Sequence, residues 1–421
     1  MAAVVPPLAR RRVVITGAGI ATSLGLGWKA NAAGFRSGAT ALRPITLFST
    51  EGQRVHTGGQ MELPADLPAG LKLSAREATR LDRSARMLLW AAAEAWKQAG
   101  WRAEDGGEIA TVMGTSAGGM AMGEAFFKQF RPAQGEELSA PRSRRHQASR
   151  VVHYQCQRPS TELRRALGYT GPSTIIANAC ASGSNAIGHG FELIAGGQAD
   201  RVVAGGFDAL CQLVFAGFDS LQALSTTRPR PFDANRDGLA LGEGAAVLTL
   251  ETLEAAEARG ATVLAEIAGY GAFTDIHHLT QPQPEGAAAL ASMRGALEQA
   301  GWGVDDIDYI NAHGTGTPLN DAAEGAAFRE LAGGGPARFL VSSTKGSIGH
   351  TLGAAGAIEA VICLMALQGQ WAPPTVHNLT PDPVCAAFDL VTAPRDALLR
   401  RVLSNSFGFG GANATVAFAR M

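Results

Sequence analysis

The stretch Ile175–Ala186, IIANACASGSNA, places a cysteine, Cys180, between two alanines where two sequence patterns meet. An apolar, β-branched run precedes the cysteine, and a cluster of glycine, serine and asparagine follows it. The first pattern is typical of a strand, and the second can open a helix. A helix start offers unpaired N–H groups and a partial positive charge, which favour thiolate over thiol. The junction therefore favours a nucleophile over the small buried core residue that most free cysteines are.

Strand-like and helix-like segments alternate along the rest of the chain. Short β-branched runs recur near Val13, Val112, Val202 and Val247, and helical stretches rich in alanine, leucine and glutamate separate several of them. This alternation predicts an α/β fold in which at least part of the sheet is buried on both faces.

The order of these segments occurs twice in the chain. Four segments of the second part resemble four of the first in the same order. The segment around Ile267 resembles that around Val13, and the segment around Ile310 resembles that around Val112. Residues 339–370 resemble the Cys180 strand with its helix, and the segment around Phe409 resembles that around Leu241. Each likeness is short, but four in one order predict a duplication. We expect two similar halves, residues 1–255 with the cysteine and residues 256–421, joined near residue 255.

Composition narrows the class of protein. The chain has 421 residues, of which 46% are hydrophobic and 17% charged, as in globular proteins. A formal net charge of -1 gives no general affinity for nucleic acid or an anionic membrane. We find no uninterrupted apolar run of the roughly 20 residues that span a bilayer, and hence expect no membrane segment.

Two further features predict a cytoplasmic protein. The N-terminal arginines follow the first apolar stretch, whereas a secretory signal places its positive charge before that stretch. The chain has five cysteines, an odd number without a CxxC pair, which fits a reduced compartment with no disulfide framework and no zinc site.

Two histidines lie in settings similar to that of Cys180. His313 in NAHGTGTPLND and His350 in STKGSIGHTLGAAGA each follow a strand-like run and lie in a glycine-rich turn. Strand ends followed by turns are where α/β proteins place their chemistry. We interpret the remaining histidines as structural; they are His56, His146, His153, His189, His277, His278 and His377.

The stretch SNSFGFGGANA surrounds Phe409 with Gly408, Gly410 and Gly411. Such a turn allows a backbone N–H to approach a ligand closely. Together with the N–H of Cys180 it can form an oxyanion hole for a thioester carbonyl. Taken alone, the pattern favours a tight chain reversal.

With these motifs the chain resembles the β-ketoacyl-acyl carrier protein synthases of fatty-acid elongation. These are type I/II condensing enzymes of the thiolase superfamily, and the likeness is to elongating synthases of the KAS II kind. The likeness extends over essentially the whole chain and rests on ACASG, NAHGTGTPLND, STKxxxGHxxGAAGAxE and NSFGFGGxN, with RPRPFDANRDGLALGEGA in support. It implies a thiolase-like fold, in which two duplicated halves form a layered α-β-α-β-α sandwich.

The resemblance also implies a Cys-His-His triad of Cys180, His313 and His350. In this family the cysteine accepts an acyl group from acyl carrier protein, and malonyl carrier protein then loses CO2 and attacks the acyl-cysteine to give a 3-ketoacyl product. Lys345 and Glu359 match an ion pair that supports the second histidine. No metal and no cofactor are implied, because phosphopantetheine on the carrier protein holds the substrates.

Other residues acquire expected roles from the same resemblance. Phe409 matches the gate of the acyl pocket, and its N–H matches the second oxyanion donor. Thr315, Thr317 and Gly410 match residues that bind the pantetheine or the acyl chain. Asp321 and Glu324 match an acidic pair for which we expect a structural role.

Several positions differ from the fatty-acid enzymes. Ala117 is smaller than the usual aliphatic residue at the floor of the acyl pocket, which favours a longer, polyene or aryl-primed chain. Arg76 and Arg80 keep positive charge where the carrier protein is expected to dock, but Thr79 and Gln222 replace basic residues there. The basic segment 131–150 is either a solvated loop or a different docking surface.

Three related kinds of protein disagree with the motifs. A coenzyme A thiolase needs a second cysteine near the C-terminus, and SNSFGFGGANA has none. A Cys-His-Asn ketosynthase has asparagine in place of His350. A non-catalytic chain-length factor lacks the active cysteine. Two questions stay open at this point. The first is whether the pathway makes fatty acids or a specialised polyketide, polyene or aryl polyene. The second is whether the dimer is a homodimer or a heterodimer with a related subunit.

Overall fold

The computed structural model describes residues 10–103, 107–130, 152 and 154–421. In chain order the strands are β1 (Val13–Thr22), β2 (Gly25–Leu26), β3 (Arg43–Pro44), β4 (Thr57–Gly58), β5 (Ala110–Gly114), β6 (Ser173–Ile176), β7 (Arg201–Asp208), β8 (Gly244–Thr252), β9 (Ala265–Thr274), β10 (Tyr309–Asn311), β11 (Leu340–Ser342), β12 (Trp371–Ala372), β13 (Asp389–Leu390), β14 (Arg395–Asp396), β15 (Arg401–Phe407) and β16 (Ala412–Ala419). The helices are α1 (Gly27–Ser37), α2 (Ala75–Ala78), α3 (Arg83–Ala99), α4 (Met120–Phe130), α5 (Arg158–Leu167), α6 (Ser182–Ala195), α7 (Gln212–Ser220), α8 (Leu253–Ala258), α9 (Ala287–Ala300), α10 (Pro318–Leu331), α11 (Lys345–Ile348) and α12 (Ala355–Gly369).

The main sheet repeats one strand order in each half. Its path is β13-β11-β10-β15-β16-β9-β1-β8-β7-β5-β6, and β2 pairs with β1 off this path. In both halves the main strands follow the order third, second, fourth, fifth, first, and the third, second and fourth run parallel. A short antiparallel pairing of β1 with β9 joins the halves. The duplication expected from the sequence is therefore confirmed, whereas a division at residue 255, which lies within α8, stays a prediction.

The helices form three layers around the two half-sheets. Helix α3 packs on β1 and β8, and α9 packs on β9 and β16, so these two cover the outer faces. Helices α6 and α12 pack against each other, α6 on β5 and β7 and α12 on β15, and so fill the centre. This arrangement is the predicted α-β-α-β-α sandwich.

A glycine pair on the first strand of each half explains why those strands look alike in sequence. A Cβ atom on Gly17 or Gly19 would lie 2.1 or 1.9 Å from a carbonyl oxygen of α3, and one on Gly269 or Gly271 would lie 2.2 or 2.1 Å from a carbonyl oxygen of α9. Any side chain at these positions would separate helix from strand. The repeated glycines are thus a packing requirement of the outer layers.

The central helix α12 is strongly apolar. The segment Leu352–Gly369 has a mean hydropathy of 1.7, enough by length and composition for a membrane span, but 89% of it is buried inside the protein. That burial identifies it as a core helix packed between the two half-sheets.

Candidate active site

Cys180 lies in the turn that the sequence predicted. The single 3₁₀ turn Ala179–Ala181 separates β6 from α6, and Ala179 adopts a φ of 58°. The same turn recurs in the second half at Leu352–Ala354, where Leu352 has a φ of 55° and Gly353 takes the place of the cysteine. A left-handed residue with a side chain costs roughly 1–2 kcal/mol, so both halves store strain at this sharp bend. Only the first half puts a thiol there.

The turn that carries His313 is held by two carboxylates of α10. The N–H groups of His313 and Gly314 donate to Glu324 at 2.9 and 2.8 Å. The N–H of Gly316 donates to Asp321 at 3.1 Å. Burial raises the pKa of Glu324 to about 7, against the opposing effect of these N–H donors. Both carboxylates therefore bond to the backbone behind the histidine.

His350 follows α11, and its ring orientation is set by its own turn. The N–H of Leu352 donates to Nδ1 of His350 at 3.3 Å. The neutral ring then carries its proton on Nε2, which has no hydrogen-bond partner among the described residues. The ring centroids of His313 and His350 lie 5.3 Å apart, with the planes at 84°. One reacting group between them can therefore contact both rings.

Both imidazoles are neutral at physiological pH. Burial, reinforced by the positive charge of Lys345, holds the pKa of His313 and of His350 well below the usual value. A neutral imidazole can donate a hydrogen bond to a developing oxyanion without carrying a charge of its own.

Lys345 forms a buried ion pair with Glu359. The Nζ atom of Lys345, at the start of α11, contacts Oε1 of Glu359 on α12, and both side chains are buried. Burial raises the pKa of Glu359 to about 7, although Lys345 opposes that rise. The positive charge of Lys345 acts to lower the pKa of Cys180, His313 and His350.

A cavity of about 350 Å³ brings the predicted residues together. Six of the residues with an expected role line it; they are Cys180, His313, Thr315, Thr317, His350 and Phe409. The hydroxyls of Thr315 and Thr317 lie 2.8 Å apart. The cavity can therefore hold one extended substrate between the thiol, the two imidazoles and the two hydroxyls.

Phe409 closes one side of this cavity. Its backbone N–H donates towards the sulfur of Cys180, and a Cβ on the preceding Gly408 would lie 3.1 Å from the nitrogen of Cys180. Its ring stacks on Phe218 with centroids 5.7 Å apart. The N–H of Phe409 thus faces the thiol, and the segment that carries it lies against the backbone nitrogen of Cys180.

Four predicted binding residues do not line the cavity. The N–H of Ala117 donates to Asp208 at 2.8 Å, and that of Gly410 to the carbonyl of Leu279 at 2.7 Å. Arg76 and Arg80 are exposed on and just after α2. The basic segment 131–150 lies outside the described residues.

The protonation expected for Cys180 is wrong in direction. Burial raises the pKa of its thiol to about 12, and Asp208 adds to the rise. Lys345 and the N–H of Phe409 oppose burial but do not outweigh it. Cys180 therefore rests as a thiol that must lose its proton as it attacks.

Asp208 at the end of β7 is the residue that sequence reasoning missed. Its fully buried carboxylate accepts from the hydroxyl of Thr115 at 2.7 Å, from the N–H groups of Ser116 and Ala117 at 2.8 Å each, and from the N–H of Gly353 at 2.6 Å. It therefore links the loop after β5 to the turn that follows His350. The sequence GGFDAL gave no signal beyond a lone acid at a strand end.

Comparison with known proteins agrees with this geometry. Residues 10–256 match the sequence model of the β-ketoacyl synthase N-terminal domain, and residues 264–378 match that of the C-terminal domain. A Staphylococcus aureus relative, 3-oxoacyl-[acyl-carrier-protein] synthase 2, is 36% identical over 418 residues, which cover 97% of this chain and 98% of the relative.

Two solved structures share the fold along nearly the whole chain. The ishigamide ketosynthase/chain length factor has a TM-score of 0.88 and 34% identity, covering 98% of this chain and 100% of that one. A ketosynthase in complex with its type II PKS acyl-carrier protein has a TM-score of 0.86 and 26% identity, with the same coverage. The cysteine turn, the two histidine turns and these likenesses together show that the chain belongs to the β-ketoacyl synthase family.

Proposed function

We propose that the protein catalyses the decarboxylative Claisen condensation of an enzyme-bound acyl group with malonyl-acyl carrier protein, giving 3-ketoacyl-acyl carrier protein in fatty-acid elongation. The observation that carries this proposal is that Cys180, His313 and His350 line one cavity, with both imidazoles neutral. A thiol nucleophile with two uncharged donors suits an acyl transfer followed by formation of an enolate.

The first step moves the acyl chain to the enzyme. The sulfur of Cys180 attacks the thioester carbonyl, and the N–H groups of Cys180 and Phe409 stabilise the oxyanion. The thioester bond to pantetheine breaks, and the departing pantetheine sulfur takes up the proton that Cys180 loses. Because burial holds the pKa of Cys180 at about 12, proton loss accompanies the attack.

The second step forms the carbon–carbon bond. Malonyl thioester loses CO2, and the electron pair of the broken bond passes into an enolate. The imidazole N–H groups of His313 and His350 donate to the enolate oxygen. Its carbon then attacks the acyl-cysteine carbonyl, the bond to sulfur breaks, and the Cys180 thiolate takes up a proton from water. These donors supply the charge stabilisation, so the proposed reaction uses no metal and no cofactor beyond the carrier's phosphopantetheine.

The proposed partners are an acyl carrier protein and a second subunit. The solved complex of a similar ketosynthase with its acyl-carrier protein supports the first. The second, a copy of this chain or a related subunit, is supported by β6, which ends the main sheet and has its first two residues exposed. A free strand edge of this kind is usually paired or covered. We also propose a cytoplasmic location, which the free cysteines among the described residues support.

A second candidate differs in pathway and not in chemistry. The likeness to the ishigamide ketosynthase/chain length factor favours a specialised polyketide or aryl-polyene ketosynthase that works beside a chain-length-factor subunit. The small size of Ala117 does not bear on this choice, because Ala117 does not line the cavity.

Intact-protein mass spectrometry separates these candidates. Purified enzyme is incubated with saturated acyl carrier proteins of increasing length, and malonyl carrier protein is then added. We expect a mass gain on the wild type that is absent from Cys180→Ala, followed by 3-ketoacyl product. Acylation by polyene or aryl carriers alone would favour the second candidate, and a folded enzyme that none of them acylates would contradict both.

A further inference from the structure

The side chain of Arg236 is buried behind the wall of the Cys180 cavity. Arg236 lies in the segment between α7 and β8, its side chain is 8% exposed, and it is not among the described residues that line the cavity. Its Nε donates to the carbonyl of Thr317 at 3.2 Å, and its Nη2 donates to the carbonyl of Pro318 at 3.0 Å. One buried cation therefore holds two consecutive carbonyls at the start of α10.

These two carbonyls belong to the turn that carries the paired hydroxyls of Thr315 and Thr317. We call residues 315–318 the threonine turn. Its Gly316 accepts the N–H of Gly238 at 3.1 Å, and a Cβ on Gly316, which has a φ of 81°, would lie 2.9 Å from the carbonyl oxygen of Gly238. The backbone of the threonine turn is thus held by the segment of Arg236, while both threonines line the cavity.

Thr317 does not play the part that its position in α10 suggests. It is the N-cap residue of that helix, and a threonine at an N-cap ordinarily accepts a hydrogen bond from an N–H of the first helical turn. Here its side chain makes no such bond. Its hydroxyl lies 2.8 Å from that of Thr315 instead. The hydroxyl is therefore turned away from the helix and is available to a molecule in the cavity.

A guanidinium is suited to hold this arrangement. Its planar fork directs several N–H donors at once, and Arg236 uses the fork on the threonine turn, on the carbonyl of Asp233 at 2.9 Å and on the carboxylate of Asp382. A lysine would keep the positive charge opposite Asp382 but presents one compact ammonium on a flexible stem. It would not bind both carbonyls of the threonine turn in the same geometry.

We infer that Arg236 is a positioning residue for the pantetheine arm, because it holds the threonine turn so that the hydroxyls of Thr315 and Thr317 meet the amide groups of the arm and not α10. The inference rests on the proposed function, in which the substrate arrives on pantetheine. The arm carries two amides, whereas the reacting thioester lies beyond them at Cys180. Loss of Arg236 should therefore weaken binding of the arm and leave the chemistry at Cys180 intact.

The test compares Arg236→Lys with a matched control, Arg259→Lys. Arg259 also pairs with a buried carboxylate, that of Glu251, and donates to the carbonyl of Ala99 at 2.6 Å, but it is not among the described residues that line the cavity. Acylation of Cys180 is measured with acyl-pantetheine and with the acyl thioester of ethanethiol, which has the same reacting group and no amide.

We expect Arg236→Lys to raise the KM for acyl-pantetheine about three- to thirtyfold with kcat unchanged, as for the loss of one or two hydrogen bonds made equally in the ground state and the transition state. The KM for the ethanethiol thioester should rise far less. Arg259→Lys should leave both KM values at those of the wild type. A role of Arg236 in the fold alone would not separate the two thioesters.

Two further variants test the same support independently. Thr315→Val combined with Thr317→Val removes the hydroxyls, so adding Arg236→Lys to that pair should raise the KM for acyl-pantetheine no further. Asp382→Asn keeps the guanidinium and removes the charge that it pairs with, and it should raise that KM by a smaller factor than Arg236→Lys. This variant also decides the matter where Arg236→Lys does not fold.

Three outcomes would overturn the inference. Equal rises in KM for the two thioesters, or additive effects of Arg236→Lys and the threonine pair, would show that Arg236 supports the fold and not the arm. Wild-type KM values in both Arg236→Lys and Asp382→Asn would show that the threonine turn needs no outside support. Wild-type enzyme that neither thioester acylates would remove the proposed function itself, which is distinct from normal acylation of the wild type with unaffected variants.

Discussion

The carboxylate of Asp208 in the first half accepts the N–H of Gly353 in the second half at 2.6 Å. Gly353 occupies, in its own half, the position that Cys180 occupies in the first. The same carboxylate holds the loop after β5 through Ser116 and Ala117. One buried side chain therefore ties the loop after β5 to the turn that follows His350.

We expect Asp208→Asn to lower both stability and turnover. An amide has one acceptor oxygen in place of two, so at least one buried N–H group loses its partner, which costs about 1–3 kcal/mol. Urea unfolding should show a loss of about 2 kcal/mol in the free energy of unfolding. The control is Asp200→Asn, because Asp200 is exposed and pairs with Arg11 at the surface. Unchanged stability of Asp208→Asn would show that water replaces the carboxylate.

Lys345 should set the acid limit of decarboxylation. In the wild type the pKa of His313 and of His350 is held well below the usual value, so both rings stay neutral as the pH falls through about 6.5. Lys345→Met removes the positive charge that disfavours protonation, so both pKa values rise. A protonated His350 can no longer accept the N–H of Leu352 and loses its orientation.

The measurement is CO2 release from malonyl carrier protein as a function of pH. The wild-type rate should stay level below about pH 6.5, and the Lys345→Met rate should fall there. Adding Glu359→Gln to Lys345→Met removes the carboxylate that the single variant leaves buried and unpaired, and should leave the shifted acid limit in place. An acid limit identical to that of the wild type would contradict the role given to Lys345.

Cys180 should react slowly with alkylating agents in the free enzyme. Only the thiolate is nucleophilic, and burial raises the pKa of this thiol to about 12. The rate of carbamidomethylation by iodoacetamide should therefore rise about tenfold per pH unit from about pH 7 to about pH 10, without a plateau. Mass spectrometry of digested protein follows the adduct, and Cys180→Ala identifies its peptide. A plateau below about pH 8 would mean that the helix start and Lys345 prevail over burial.

The three turns that hold Cys180, His313 and His350 could be found from the sequence because each combines a strand, a glycine-rich bend and a reactive side chain within about ten residues. The duplication was also visible in the sequence, since Gly17 and Gly269 each allow the first strand of their half to pack closely against an outer helix. Such signals are local, and they repeat because the packing repeats.

What the sequence could not give depends on residues far apart in the chain. The pKa of Cys180 was expected to fall because a helix start is readable locally, whereas burial in the folded chain raises it. Asp208 gave no sign of its role because its donors lie 92 and 145 positions away, at Ser116 and Gly353. Ala117 was expected in the pocket, but its backbone is bound to that same carboxylate.

The crossing of the two central helices gives the last prediction. Gly183 on α6 and Gly356 on α12 each lie three residues after the equivalent positions Cys180 and Gly353. A Cβ on Gly183 would lie 2.7 Å from the nitrogen of Ala357, and one on Gly356 would lie 2.2 Å from Oγ of Ser184. We expect Gly183→Ala to lower the free energy of unfolding by about 1–3 kcal/mol, because neither backbone can retreat from a packed core. It should also slow acylation, since α6 begins two residues after Cys180.

The matched control is Gly217→Ala in α7, where an added Cβ meets nothing within 4 Å. That change should be neutral or stabilise by up to about 1 kcal/mol, because alanine is the better helix former. Equal urea midpoints for the two variants would mean that the central helices can separate, and the spacing of Cys180 from His350 would then need another support.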